Sequence, residues 1–299
     1  MKLRQNNTWI DVNAYIRQNN QWVFVNNISD ANEFLLIISQ TTTNLNLQTT
    51  FNNIFGATAW TSTKRKRVIV NSGVIVGATS TANYALNIPS GLGGSLKIEN
   101  NGSIQGAGGA ANGGTGGNAI FAGSSGISIN NQGTIYAGGG GGGQGGTGGQ
   151  GSYTTTTQTI VGDLSAFGSV GSGQCNSLCS FYYPGTYGVY NGLCYCAVNS
   201  TSTVITAGGT GGAGGVGRGY NQSLTGGSSG SAGGTNAGSG GTGGAGGDWG
   251  NNGSAGTAGS NGNYTAGTAG SSGGLSGFYI VNNSNVTWIS TGTRAGRVG

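Results

Sequence analysis

The 299-residue chain contains no histidine, two prolines, one methionine, and six carboxylates against eleven lysines and arginines. Each shortage removes a class of protein. Without histidine, neither a Ser-His-Asp triad nor a Cys-His nucleophile can be assembled. With two prolines, and with glycines doubled rather than set once per triplet, collagen is excluded. Asp163 and Asp248 are the only carboxylates beyond residue 99. They would act as a general acid and base only if the fold joined them, and each reads instead as a surface or turn residue. No apolar run is long enough to cross a bilayer: FLLII at 34–38 is far too short, and MKLRQNNTWI shows no secretory signal. The expectation is a product made soluble in the cytoplasm, whose release would need lysis or a non-classical route.

Glycine supplies what the other residues do not, at 68 positions, far above average usage. GGTGG occurs at 113–117, 145–149, 208–212 and 240–244, and single glycines recur every third residue through Gly253, Gly256, Gly259 and Gly262, then Gly267, Gly270 and Gly273. GxGxxG-type matches carry no weight in such a chain, because no helical pattern follows to bind a phosphate. A flexible linker would lack the strict phase. A period of three fits an extended left-handed helix with three residues per turn and ~3.1 Å rise, which makes no internal hydrogen bonds. Such helices must pair their peptide groups with neighbours, and glycine on two of three edges lets backbones approach closely. The sequence therefore predicts a bundle of polyglycine II helices of about 9 to 14 residues each, turning back at non-glycine interruptions.

These interruptions are expected to be loops, at 152–206, 218–225, 248–252 and 261–266. The first is long enough to imply function, and the aromatics gather there: Tyr153, Phe167, Phe181, Tyr182, Tyr183, Tyr187, Tyr190 and Tyr195, joined by Tyr220, Trp249 and Tyr264 in the shorter loops. Tyr and Trp among Ser, Gly and Asn is the composition of a binding surface; the competing reading is a small core beneath the long loop. Cys175, Cys179, Cys194 and Cys196 lie in the same loop. Their C-x₃-C and C-x-C spacings do not match the paired C-x₂-C of zinc sites, and two disulfides fit better, with connectivity and redox state left open.

The rest reads as β. WIDVN at 9–13 recurs as WVFVN at 22–26, suggesting short antiparallel hairpins. VIVNSGVIVGA, YALNIPSG, SLKIENNGSIQGAGG and GISINNQGTIYAGG give strands of four to six residues with Asn-Gly or Ser-Gly turns, spaced like rungs of a small β-helix. FYIVNNSNVTWISTGTRAGRVG adds two strands and a basic tail. The fold class expected is an all-β amino-terminal domain of hairpins and rungs (1–105), then the polyglycine II bundle with long variable loops (106–277), then a carboxyl-terminal β segment (278–299), with little or no α-helix. KRKR at 64–67 could be a nucleic-acid patch in isolation, but it leads straight into a strand without a wider basic face. A solvated edge or an acidic docking partner fits better, and nucleic acid is not an expected partner.

The order of these pieces, from VIVNSGVIVGATSTANYALNIPSG through SLKIENNGSIQGAGGAANGGTGGNAI and GISINNQGTIYAGGGGGGQGGTGG to the terminal VTWISTGTRAGRVG, resembles the tip adhesin of long tail fibres in T-even-like bacteriophages. The paired W-x-x-V-N elements also resemble amino-terminal segments of phage tail proteins. The resemblance covers nearly the whole chain. It implies an amino-terminal domain attached to the distal tip of a trimeric fibre, with Trp9, Trp22 and Trp60 expected at that contact. It also implies a distal bundle whose variable loops bind an outer-membrane protein, or lipopolysaccharide, of a Gram-negative host. The four interruptions above correspond to those loops, and the first is unusually long and cysteine-rich for the family. No enzyme activity, cofactor or metal is expected. The alternative is a structural or ice-binding glycine bundle, against which the long aromatic insert argues.

Overall fold

The computed structural model describes residues 33–164, 166, 171–190 and 193–299. It also describes the backbone of four short strands before them, β1 (Lys2–Gln5), β2 (Thr8–Asp11), β3 (Ala14–Gln18) and β4 (Gln21–Val25). β1 pairs with β2 and β3 with β4, both antiparallel, setting Trp9 opposite Arg4 and Trp22 opposite Arg17 in register. The side chains of these strands, and with them the expected roles of Trp9 and Trp22, lie outside the described residues.

Beyond residue 32 the chain winds into a three-faced parallel solenoid. Its first turn is β5 (Glu33–Ile38), β6 (Thr42–Thr43) and β7 (Leu45–Asn46). An unanticipated helix, α1 (Leu47–Phe55), follows. The second turn is β8 (Arg65–Val70), β9 (Ile75–Gly77) and β10 (Leu86–Ile88); the third is β11 (Leu96–Asn100), β12 (Ser103–Gln105) and β13 (Ile120–Ala122). The fourth begins with β14 (Ile127–Asn131) and β15 (Thr134–Tyr136). Alternating apolar residues point inward and stack in columns: Leu36, Val68, Ile98, Ile129 and Trp288 share one, and Leu45, Leu86, Ile120 and Ile280 another. Where the first face turns, buried Asn100 donates Nδ2 to Asn131 Oδ1 at 2.7 Å, and Asn131 donates to Thr291 O at 2.7 Å. Stacked amides thus satisfy corner carbonyls that no strand reaches.

The fourth turn does not close locally. Between β15 and its third strand the chain leaves the solenoid for the glycine-rich region, which contains the exposed antiparallel pair β16 (Gly151–Asp163) and β18 (Cys194–Thr206), helix α2 (Ser172–Tyr182), and β17 (Tyr187–Tyr190). It returns as β19 (Phe278–Val281), which completes the fourth turn. A fifth turn follows, of β20 (Val286–Ser290), β21 (Thr293–Ala295) and β22 (Arg297–Val298). The carboxyl-terminal segment, read above as a piece of its own, therefore pairs into all three sheets: Ile280 lies beside Ile120, Thr287 beside Ser128, and Arg294 beside Ile135.

The glycine segments 137–150, 207–219, 225–234, 237–247, 251–262 and 265–277 run back and forth, joined by backbone hydrogen bonds at intervals of three. Gly139, Gly142, Gly145 and Gly148 donate to the carbonyls of Arg218, Gly215, Gly212 and Gly209 at 2.8 to 2.9 Å. Segment 137–150 is central. It bonds to 207–219, 237–247, 251–262 and 265–277, and near the solenoid also to the short segments 106–111 and 113–118. That surround explains its composition. Gly138 to Gly143 are consecutive and all buried, because Gly138 and Gly141 face Ala107 and Ala110 of the short segments. Once those end, the same edge carries exposed Gln144, Thr147 and Gln150. At the margins, hydroxyls complete the pattern: Ser228 donates its N–H to Ala213 O at 2.9 Å and its Oγ accepts from Ala213 N at 2.8 Å. Thr268 and Ser271 do the same for Thr147 and Gln144.

A Cβ built on Gly142 falls on the Gly244 carbonyl, whereas one on exposed Gly226 meets nothing within 4 Å. Overpacking against backbone cannot be relieved by a rotamer change. Gly142→Ala is expected to destabilise by about 2 to 4 kcal/mol, lowering Tm by roughly 5 to 15 °C, with Gly226→Ala within ~0.5 kcal/mol of wild type. Calorimetry of the two variants checks this.

Candidate functional site

The alternation of segments decides which loops share an end. Segment 137–150 starts at the solenoid and runs away from it, so every second turn comes back. Loops 218–225 and 248–252 lie at the near end, whereas the long insert, the turn at 235–236 and loop 261–266 lie together at the far end. Tyr220 and Trp249, expected with the other loop aromatics, are thus separated from them. The Tyr220 ring covers Gly77 of β9, leaving no room for a Cβ there, and its N–H reaches Gly106 O at 3.0 Å. Trp249 stacks on Tyr136 of β15 at 5.5 Å, with the Arg218 guanidinium 5.6 Å from its ring and Arg218 paired to Asp248 at 3.1 Å. Both rings fasten the glycine segments to the solenoid.

At the far end, β16 and β18 leave the lattice as a two-stranded stalk. Its root is tied down by amides and hydroxyls: Ser152 N donates to Asn263 Oδ1 at 2.7 Å, Asn236 and Asn263 each donate Nδ2 to Ser152 O at 3.0 Å, and Thr206 Oγ1 donates to Thr235 O at 2.6 Å. Asn236 takes a left-handed conformation, φ 60°, which asparagine tolerates better than most residues. Beyond the root, Thr154 to Thr157 lie opposite Thr203 to Ser200, and residues facing both sides are exposed. β-branched threonines favour the strand and bond across it, Thr155 to Ser202 at 2.9 Å.

The stalk ends in a small knob made of α2, β17 and the distal ends of β16 and β18. Cys175 pairs with Cys194 and Cys179 with Cys196, across Cα separations of 5.5 and 5.2 Å. These four sulfurs, buried with Leu164, form most of the knob's core, against which Leu178 and Tyr183 pack. With every sulfur paired, none is available as a thiolate ligand. Thr186 closes the carboxyl end of α2, donating Oγ1 to Tyr183 O at 2.7 Å.

The loop aromatics therefore divide. Tyr183 is half-buried on the cystine core and covers Gly162. Half-buried Tyr187 accepts from Gln158 Nε2 at 2.6 Å and donates its hydroxyl to Asn199 Oδ1, and Tyr195 is also half-buried. Phe181 is 77% exposed and meets Tyr182, 51% exposed, edge to face. Tyr153 at the stalk root and Tyr264 beside it are exposed. Phe167 and the side chain of Tyr190 lie outside the described residues. Sequence reasoning missed Ile160, Val161 and Leu193, exposed apolar residues of the neck and knob, for want of an aromatic signal.

One expectation for the amino-terminal half needs correction. Trp60, expected at the fibre contact, is fully buried, packed on Phe51 at 6.1 Å, with Nε1 donated to Ser90 O at 3.0 Å. It is a core residue because α1 folds over the solenoid wall and needs a large apolar partner. The KRKR run is divided: Arg65 is exposed, as a solvated edge requires, while the other three residues are engaged within the chain. Lys64 lies over Phe34, and buried Lys66 donates Nζ to the carbonyls of Ser62, Lys64 and Gly93 at 2.7 to 3.0 Å. Arg67 pairs with Glu99 at 2.7 Å. Burial pushes the Lys66 ammonium below its ordinary value, and the Arg67 hydrogen bond holds the Glu99 carboxyl below its own.

Residues 33–192 match the family model of the phage tail fibre adhesin Gp38, a little over half of the chain. The protein belongs to that family. It is also similar to the crystal structure of the gp37-gp38 adhesin tip complex of the bacteriophage S16 long tail fibre. The identity there is 18%, over 89% of this chain and 82% of that one, with a TM-score of 0.41. No curated protein matches the chain.

Two measurements test this geometry. Glu99 has its pKa depressed on folding, so its stabilisation is present above the unfolded value near 4.5 and is lost as pH falls through the lower folded value. Below pH ~4.5 the Tm of Glu99→Gln should fall less steeply than that of wild type, read by thermal melts from pH 7 to 3. Replacing Cys175 and Cys194 with alanine should cost the knob about 2 to 4 kcal/mol. Limited proteolysis should then cut within 164–194 while the glycine segments keep their wild-type melting behaviour.

Proposed function

We propose that this chain caps a phage long tail fibre as its receptor-binding tip and acts by binding alone. The observation that carries the reading is the segregation of its two ends. The far end of the glycine segments bears the long insert, Tyr153, Tyr264 and the knob, and among the described residues Phe181, Tyr182, Tyr153 and Tyr264 are exposed there. The near end is built into the solenoid through Tyr220 and Trp249.

In this reading the glycine segments are polyglycine II helices. Threefold spacing of the hydrogen bonds, antiparallel and parallel neighbours around one central segment, and glycine on the contact edges all support it. The helix of 137–150 would then be about 43 Å long at ~3.1 Å per residue. The solenoid, with the hairpins of β1 to β4 and the carboxyl-terminal strands, forms the body that joins the distal tip of the fibre; Trp9 and Trp22 are the tryptophans proposed for that contact. The loops at 152–206, 235–236 and 261–266 face the host and set its range. An outer-membrane protein of a Gram-negative cell is the favoured receptor, since exposed Phe181, Tyr182 and Tyr153 supply large apolar contact area at low rotamer cost. Catalysis has little to draw on: Asp163 is at the knob's neck and Asp248 at the opposite end, paired to Arg218. The adhesin resides on the virion, and cytoplasmic synthesis with release by lysis completes the proposal.

Exchanging residues 152–206 for a short glycine-serine turn tests it. Virions carrying the exchange should keep the adhesin on their fibres, by immunoblot of purified particles, and lose adsorption to their host by at least about tenfold, the effect of ~1.4 kcal/mol of lost contact. Unchanged adsorption, or loss of the adhesin from the particle, would contradict the division of labour.

A further inference from the structure

The insert is built as a spacer with a head, which is more than the display of aromatics requires. Loop 261–266 already presents Tyr264 directly on the lattice end. Among the described residues, no hydrogen bond joins the pairs from Thr154 opposite Thr203 to Thr159 opposite Val198 to the lattice, and the ribbon from Ser152 to Ile160 spans roughly 27 Å at ~3.4 Å per residue. A lone two-stranded ribbon is marginal in water. This one is clamped at both ends, by the Asn236, Asn263 and Thr206 bonds at its root and by two disulfides at its head. Chain ordered in this way holds a distance.

Its surface chemistry points to what occupies that distance. Between the root, where Tyr153 and Ile205 are exposed, and the neck, threonine, serine, glutamine and asparagine cover the stalk, and Asp163 is the only charged residue from 152 to 206. Hydroxyls and amides exchange hydrogen bonds with saccharides at little net cost, and a neutral ribbon is neither held nor repelled by anionic sugars and phosphates. The head differs in character, with Phe181, Tyr182 and Leu193 exposed on it and Ile160 and Val161 at its neck. Apolar side chains of this size, exposed together on a small body, mark a protein contact.

We propose that the stalk carries the knob through a layer of surface saccharide, and that the knob seats its exposed apolar side chains in a recessed apolar pocket of a membrane protein beneath that layer. The proposal rests on the adhesin reading and adds to it the depth and chemistry of the contact.

Deleting Thr154–Thr157 together with Ser200–Thr203 removes four facing pairs, shortening the stalk by about 14 Å while preserving which side each remaining residue faces. Purified wild-type, shortened and Phe181→Ser proteins are titrated onto host cells with full-length surface saccharide and onto cells of the same strain with truncated saccharide. Peptide mapping verifies the Cys175–Cys194 and Cys179–Cys196 bonds in each protein. The shortened protein should bind at least tenfold more weakly to full-length cells and within twofold of wild type to truncated ones. Phe181→Ser should weaken binding to both. Equal binding of shortened and wild-type proteins to full-length cells, or equal loss on both cell types with the disulfides intact, overturns the reach mechanism. Wild-type binding by Phe181→Ser overturns the apolar seat. Failure of the wild-type chain to bind either cell type strikes the adhesin reading itself.

Discussion

The peptide group is the interaction on which the rest of the structure depends. From residue 137 to 277 the chain has few large side chains to bury outside the knob, so its backbone donors and acceptors have to be satisfied by neighbouring segments. That requirement fixes composition locally. Where a segment is surrounded on all edges, as at Gly138 to Gly143, every residue is glycine, because the space a Cβ would take is held by a neighbour's carbonyl. Where one edge is free, Gln144, Thr147 and Gln150 appear on it. Where the lattice ends, Ser228, Ser231, Thr257, Ser260, Thr268 and Ser271 each give an N–H and take one back through the hydroxyl. Glycine loses more backbone entropy on ordering than any other residue. A single segment could not bear that cost; a central one bonded to six neighbours shares it.

The solenoid supplies the template on which this lattice starts. β12 and β15 are parallel, with Gln105 beside Tyr136. The same pairing continues past the end of both strands, where Gly106 donates to Tyr136 O and Gly109 to Gly139 O at 2.7 and 2.8 Å. Insertions grow at the same corner turn after turn: residues 78–85 in the second, 106–119 in the third, and 137–277 in the fourth. The eight-residue insertion carries no glycine pairing, the second forms one short hairpin, and the third builds the lattice around that hairpin. Closing the fourth turn with β19 then ties the last glycine segment to the first by pairing Ile280 with Ile120.

Much of this was legible in sequence, because period three and period two are local signals. The strands at 68–70, 96–100 and 127–131 follow from alternation and Asn-Gly turns. Other features needed information that is present but weakly marked. Leu47, Phe51, Ile54 and Phe55 have helical spacing behind Asn46, whose side chain accepts from Thr49 N at 3.1 Å; the run is nine residues long amid strands, too short to stand out. Helix α2 has no apolar stripe, and its buried residues are Cys175 and Cys179. Which strand closes the fourth turn was hidden, since Ile280 and Ile120 are 160 residues apart and no local pattern announces so distant a pairing. The opposite placement of Tyr220 and Tyr264 was available by counting, as segments that alternate in direction put successive loops at alternate ends. The turn at 235–236 broke that count because Asn236 in a left-handed conformation reverses the chain within two residues.

The same alternation separates positions free to change from those that are not. Near-end loops are held in the interior packing: Tyr220 lies on Gly77, Trp249 on Tyr136, and the backbone at Gly250 touches that at Gly296. Replacing such a loop disturbs the joint between lattice and solenoid. Far-end loops meet the lattice through a few amide and hydroxyl bonds at their roots, from Asn236, Asn263 and Thr206. Everything beyond those roots can lengthen or change sequence without removing a lattice hydrogen bond. An insert as large as 152–206 is therefore tolerated at that end, provided it brings its own means of folding. Its two cystines do that where a core of five buried side chains would otherwise be too small.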